Sequence, residues 1–255
     1  MKAIKILVVM IIITAVFFSS AIGSAASHSP HWYIKRQGNS TPLFPPEAEK
    51  ISRYGVFYVD KNATEKNKVL YITFDAGYEN GNIESILNTL RDKDVPAAFF
   101  LLDNIILKNT DLVLRMADEG HLVCNHTRNH KNLANASTEE IKANLESLEE
   151  IYRDKTGREM SKYFRFPEGA YSIEAIKSID SLGYKTIFWS FAYEDWCNND
   201  QPREEYAFKK VIDNTHNGAI ILLHPTSATN AKILPKLIDE WRSMGYRFGT
   251  LDELR

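Results

Sequence analysis

The hydrophobic positions of this chain follow two rhythms from Lys68 onward. Short apolar, β-rich runs cover Val69–Phe74, Ala97–Leu102, Leu122–Asn125, Thr186–Trp189 and Ala219–Leu223, with weaker ones at Tyr163–Arg165 and Arg247–Thr250. Several are too uniformly apolar for a sheet with one wet face, which predicts strands covered by helices. Between them, amphipathic spacing predicts helices near Asn82–Lys93, Asp111–Glu119, Ser137–Lys155, Ser172–Leu182, Glu204–Asn214 and Lys232–Met244. The third carries its own boundaries. Ser137 and Glu140 form a capping box, Ile141, Leu145, Leu148 and Tyr152 share one face, and Gly157 stands just past the end. Strand and helix in alternation imply an α/β fold with a parallel sheet, either closed as a barrel or open and doubly wound. Polar residues arbitrate. Asp75, Asn125-His126, Arg165, the segment after Trp189 and His224 all fall at or just beyond strand C-termini. Five polar sites at one rim is a barrel arrangement.

The stretch from Ser27 to about Lys66 reads differently. It holds Pro30, Pro42, Pro45 and Pro46 and shows little periodicity, while Trp32, Tyr33, Tyr54, Phe57 and Tyr58 are apolar enough to pack on a neighbouring domain. The expected organisation is therefore a leader at 1–26, a lead-in at 27–67 and one large domain at 68–251. The leader has a basic start (Lys2, Lys5), an apolar run from Ile6 to Phe18 and small residues through Ala26. That is the layout of a secretory signal peptide, with cleavage expected after Ala25 or Ala26. The competing reading is an uncleaved anchor and membrane association through this segment. The run is short for a span of ~20 residues, although Ala21 and Ile22 extend it.

Composition narrows the function. At 255 residues and 44% hydrophobic, the chain is long enough for a substantial core, and a net charge of -2 gives no general attraction to nucleic acid or anionic membrane. Two cysteines, Cys124 and Cys197, make no disulfide framework in a chain this long, and whether they pair is left open.

Five short motifs carry chemistry: Thr73–Gly77, His126–His130, Arg165–Gly169, Glu194–Trp196 and Leu222–His224. His126 and His130 are four apart, so one helical turn would point both imidazoles at a single ion, zinc or a similar divalent metal. Asp75 ends the most β-like strand and is either a turn residue or a general base for a water. Arg165 is either a surface ion-pair partner or the group that keeps a nearby carboxylate ionised. His224 is either a solvent-facing histidine or a general acid for a leaving amine, its tautomer fixed by Asp195. Trp196 and Leu222 offer an apolar wall suited to a methyl group, with core filler the plain alternative for Trp196.

In order and spacing, these motifs resemble the NodB-homology polysaccharide deacetylases, carbohydrate esterase family 4, over roughly Lys68 to Phe248. The resemblance implies a distorted (β/α) barrel and metal-dependent removal of an N-acetyl group from an amino sugar. The Asp75–Asn80 run looks most like the delta-lactam-biosynthetic de-N-acetylases of spore-formers, which act on N-acetylmuramic acid in cortex peptidoglycan. Position by position, the resemblance implies Asp75 as base, Arg165 as its orienting partner, His126 and His130 as metal ligands, and Asp195 and His224 as the acid pair. It implies Trp196 and Leu222 around the acetyl methyl, Tyr78 among the substrate contacts, and the backbone N–H of Glu168 as an oxyanion donor. Two positions depart from the family pattern. Ala76 stands where a second Asp usually completes the metal site, so a weakly held ion is expected. Glu168 stands where an aromatic is common. The expected partner is a peptidoglycan glycan strand outside the cytoplasm, in cell wall or forespore intermembrane space, with no nucleic acid. Alternatives are a deacetylase of N-acetylglucosamine in peptidoglycan or chitin-like glycan, a non-catalytic glycan-binding relative, and an unrelated metal-dependent barrel hydrolase acting on phosphoesters.

Overall fold

A computed structural model describes residues 29–255. The leader expected at 1–26 lies outside the described residues, and among these no helix is long and apolar enough to cross a membrane. In chain order the elements are β1 (Lys35–Gln37), β2 (Ser40–Leu43), α1 (Ala48–Ser52), β3 (Val56–Phe57), β4 (Val69–Ala76), α2 (Ile83–Asp92), β5 (Ala97–Leu101), α3 (Asp103–Lys108) and α4 (Thr110–Asp118). They continue with β6 (Leu122–Asn125), α5 (Thr138–Thr156), β7 (Ser161–Phe164), α6 (Ile173–Ser181), β8 (Lys185–Ile187), α7 (Glu204–Ile212), β9 (Ala219–Leu223), α8 (Ala228–Ser243) and β10 (Arg247–Phe248).

The sheet is parallel throughout and runs β10-β4-β5-β6-β7-β8-β3, with β9 also paired to β4. It curls until the chain just after β8 meets β9, where Phe191 bridges Ile221 and the Leu222 N–H donates to the Phe191 carbonyl (2.9 Å). The ring is a distorted barrel, joined at this seam by a short bridge rather than a full ladder.

Strand alternation sorts the side chains. Val69, Tyr71, Ala98, Phe100, Cys124, Tyr163, Ile187 and Ile220 fill the lumen together with Leu251 and Leu254 from the C-terminus. The intervening residues, among them Leu70, Ile72, Phe74, Phe99 and Ile221, pack outward under α2, α4 and α8. Phe164 and Phe166 do the same beneath α5 and α6. Both faces are therefore buried, which is why the strands read as unbroken apolar runs. The capping box of α5 and the left-handed Gly157 are present as expected (φ 70°).

The lead-in is more structured than its sequence suggests. Its β3 adds a strand beside β8, and β1 and β2 form a hairpin. Trp32 is buried, stacks on Phe188 (4.5 Å, 6°) and donates to the Trp189 carbonyl (2.9 Å). Tyr33, expected to pack, is 54% exposed. Trp189 lies beyond the end of β8 rather than within it, and α3 is a helix the apolar pattern did not single out.

Candidate active site

The inward register that fills the lumen also delivers the polar residues. On β4 the odd positions face inward, so Tyr71 and Thr73 lead to Asp75 at the rim. On β7 Tyr163 leads to Arg165, on β6 Cys124 leads to His126, and on β9 Ile220 and Leu222 lead to His224. One parity rule brings four motifs to one mouth.

Asp75 and Arg165 form a buried pair, Nη1 to Oδ1 at 2.7 Å. Arg165 is fully buried, and its other nitrogens are also spent: Nε donates to the Ile187 carbonyl (3.0 Å) and Nη2 to Thr73 Oγ1 (2.9 Å). The guanidinium lies 4.1 Å from the Phe100 ring centroid. Thr73 in turn donates to the Ile221 carbonyl (2.7 Å), so the arginine is fixed on every side. Burial pushes the Asp75 pKa up, but the charge and hydrogen bond of Arg165, with His224 adding, outweigh it and hold the carboxyl below its ordinary value. Asp75 is therefore held as a carboxylate.

His224 and Asp195 form the second pair. His224 Nδ1 donates to Asp195 Oδ1 (2.7 Å), and the His224 N–H donates to Oδ2 (2.9 Å). Asp195 is fully buried. Asn230 of α8 donates to the same Oδ2 (2.6 Å) and to the His224 carbonyl (3.2 Å), and accepts from the Tyr193 hydroxyl. Burial lowers the His224 pKa, but the hydrogen bond and charge of Asp195, with Asp75 adding, carry it above the ordinary value. With Nδ1 committed to Asp195, the proton available for transfer is on Nε2. Asn230 and Tyr193 were not legible as part of this site, because a lone Asn in a helix and a Tyr in a loop carry no motif.

The histidine pair converges, though not by the helical turn expected. Residues 126–130 form a loop in which Thr127 (φ 68°) and His130 (φ 60°) are left-handed. The loop is pinned by Asn125 Oδ1 accepting from the Thr127 N–H (2.9 Å) and by Asn144 accepting from the Arg128 N–H (3.0 Å). The two rings stand edge to face with centroids 5.1 Å apart. His126 Nδ1 donates to the Arg165 carbonyl (2.9 Å), since a carbonyl can only accept. Burial pushes its pKa down to about 4, so Nε2 carries a lone pair. That nitrogen faces Asp75 Oδ2 at 3.5 Å. A bare imidazole nitrogen opposed to a carboxylate, with the far nitrogen anchored on a backbone carbonyl, is the donor chemistry of a divalent-cation site. Among the described residues no three His, Cys, Asp or Glu side chains are gathered closely enough to enclose an ion. Ala76, the last residue of β4, is fully buried and adds no donor.

These groups open onto one groove of about 1030 Å³, lined by Asp75, His130, Glu168, Trp196, Leu222 and His224 among others. Trp196 is half exposed and sets its ring edge-on to His224 (5.7 Å), so it is not core filler. Glu168 and Gly169 are consecutive left-handed residues (φ 58° and 65°). A side chain at Gly169 would come within 2.8 Å of Trp189, so this turn requires glycine. Tyr78 is not part of the groove lining; it stands outside with its hydroxyl accepting from Asn198 (2.6 Å). Its neighbour Glu79 caps α2, accepting from the Ile83 N–H (3.0 Å). Cys124 and Cys197 are both free, the first buried and the second exposed.

Comparison with known proteins bears on the family and the fold. The family model described as polysaccharide deacetylase matches residues 62–187. The peptidoglycan-N-acetylmuramic acid deacetylase PdaA of Bacillus subtilis is 36% identical over 242 residues, 92% of this chain and 89% of that protein. Its solved structure, described as a family 4 carbohydrate esterase, superposes with a TM-score of 0.83 over 88% of this chain and 96% of that one, at 34% identity. A family 4 carbohydrate esterase from Bacillus anthracis gives 0.70 over 87% and 96%, at 35% identity. A peptidoglycan-N-acetylglucosamine deacetylase of Bacillus cereus is 32% identical over 206 residues, 77% of this chain and 92% of that protein. The ordered motifs, the curled parallel sheet and these matches together place the chain in the polysaccharide deacetylase family, carbohydrate esterase family 4.

Proposed function

We propose that this protein is an exported peptidoglycan deacetylase that removes the acetyl group of N-acetylmuramic acid, a step toward muramic δ-lactam in spore cortex. The observation that carries the reading is the pairing at the groove: an ionised Asp75 held by Arg165, and a His224 whose proton is raised and oriented by Asp195. A pure binder needs neither an activated base nor a poised acid. Asp75 takes the proton of a water attacking the acetyl carbonyl, and His224 Nε2 gives a proton to the departing sugar nitrogen. Leu222 and Trp196 bound the acetyl methyl, and the backbone N–H of Glu168 is the candidate donor to the oxyanion. His126 and His130 are the side chains that would hold a divalent ion such as zinc, weakly because two imidazoles alone do not enclose an ion and position 76 gives no carboxylate. Bound there, such an ion supplies Lewis acidity toward the carbonyl and the water.

The muramic preference is supported by the match to the N-acetylmuramic acid deacetylase, which spans 92% of the chain, against 77% for the N-acetylglucosamine deacetylase. Export is supported by the composition of residues 1–26. The test is mass spectrometry of peptidoglycan fragments after incubation with purified protein, with Asp75→Asn and His224→Ala as controls. Loss of one acetyl from muramic acid, absent in both variants, is expected. Loss from glucosamine alone would move the substrate to the alternative sugar. No loss from any fragment would leave a glycan binder.

A further inference from the structure

The groove extends well past the reacting groups. Its volume sits at the upper end of what a drug-sized ligand fills, more than one acetylated sugar at Asp75 and His224 needs. The surplus lies toward the β8–β9 side. There the loop after β8, helix α7 and the β1–β2 hairpin of the lead-in come together, and the lining includes Arg36, Tyr206 and Lys210. Arg36 is tethered by one nitrogen to the Ala192 carbonyl, three residues before Asp195, which fixes the guanidinium beside the catalytic loop. Its Cζ is 5.8 Å from the Phe191 ring centroid. Lys210 follows Tyr206 by one helical turn, with Nζ 5.7 Å from that ring, and Tyr206 is 56% exposed.

Glu194 and Asp200 line the same groove, yet no carboxylate among the described residues comes within 4.0 Å of Arg36 or Lys210. Two cations therefore face a groove whose own acids leave them unneutralised, beside an exposed aromatic face. A fixed guanidinium with free N–H groups suits a carboxylate, an ammonium one helical turn from an aromatic adds charge, and the aromatic suits a sugar ring. Resting on the deacetylase reading above, we propose that Arg36 and Lys210 form a subsite for the lactyl carboxylate of a muramic acid residue, with Tyr206 against the ring of the glycan. The acids of the same wall, Glu194 and Asp200, accept hydrogen bonds from sugar hydroxyls. In this subsite the lead-in, which supplies none of the base or acid groups, becomes a determinant of substrate choice.

The test compares two glycan ligands on the full-length protein. One is a peptidoglycan strand freed of stem peptides, which carries lactyl carboxylates. The other is the same strand with those carboxylates converted to neutral amides. Binding is measured by calorimetry, and acetate release is measured in parallel. Wild type is expected to bind the charged strand at least tenfold more tightly, with a preference that shrinks at high salt. Arg36→Gln and Lys210→Gln should each bring the charged-to-neutral ratio toward one, and Arg36→Lys should retain part of it. Lys210→Gln is free of the Ala192 tether, so it separates recognition from damage to the loop. Equal affinity of wild type for both strands would overturn the subsite even if acetate is released. A charge preference lost in both variants, with no acetate released by wild type, would uphold the subsite and sink the deacetylase reading. Equal losses on both strands in both variants would assign these residues a merely structural role.

Discussion

Asp195→Asn is the substitution that most directly interrogates the acid half of the site. The change keeps shape and removes charge. In the wild type Oδ2 receives two donors, the His224 N–H and Asn230, while Oδ1 receives His224 Nδ1. The amide oxygen of Asn is best placed at the two-donor position, which turns its NH2 toward His224 Nδ1. Two donors then face each other, and His224 must switch tautomer so that Nδ1 accepts. The imidazolium also loses a charge-assisted hydrogen bond worth about 1.5–3 kcal/mol. At about 1.4 kcal/mol per pKa unit, the His224 pKa should fall by ~1–2 units. A general acid must be protonated, so activity is lost as pH rises through the His224 pKa. The alkaline limb of the kcat profile should therefore move ~1–2 pH units lower in the variant, with a reduced plateau. The assay is acetate release from a peptidoglycan strand across pH 5 to 10 (roughly the range that brackets an imidazole), with thermal unfolding as a check on folding. A folded variant whose alkaline limb coincides with wild type would refute the dyad.

Arg165→Met should leave the Asp75 carboxylate buried and unpaired, costing about 3–5 kcal/mol in a urea titration and moving the acid limb of activity upward as Asp75 takes up a proton; an unmoved acid limb would show that Arg165 does not set the base. Stability should also fall as pH drops from about 6.5 toward 4. His121 and His126 are pushed by burial to about 4, below their unfolded values, so their contribution is present above about 6.5 and lost as the unfolded chain gains protons first. With chelator present, urea midpoints at pH 7.5 and 4.5 should differ by on the order of a few kcal/mol in stability, and identical midpoints would contradict the burial of these rings. Ala76→Asp should bind zinc more tightly, slowing its loss on dialysis. It should destabilise the stripped protein by at least ~2 kcal/mol, because a carboxylate then occupies a fully buried position. Destabilisation that zinc does not reverse would place residue 76 in the core rather than at the ion.

Much of this architecture was legible because parity and periodicity survive in sequence. The runs at Leu122–Asn125 and Ala219–Leu223 match β6 and β9 residue for residue, since two buried faces leave no ambiguity about where a strand lies. Asp75, Arg165 and His224 could be placed at strand ends for the same reason, and their pairing then follows from the barrel. What failed to read through was local conformation without period. The spacing of His126 and His130 suggests a helix, but the rings meet across a loop that relies on left-handed Thr127 and His130 and on two asparagine side chains. Strand β3 has two residues, too few for a pattern, and its place beside β8 is a tertiary fact. Asn230 matters through three contacts with the Asp195–His224–Tyr193 group, none of them encoded nearby in the chain.

The position of β4 carries a consequence for how such a molecule comes into being. This strand bears Asp75, yet two of its partners, β9 and β10, are the last strands in the described chain, and Thr73 is hydrogen-bonded to a residue 148 positions away. A chain delivered amino end first can give this strand its β5 neighbour early, but must leave its other edge open until nearly all the rest has emerged. Contacts of such long range are slow to form. The polypeptide therefore stays pliable until its carboxyl-terminal strands arrive, and Asp75, His224 and the closed barrel come together in one late event.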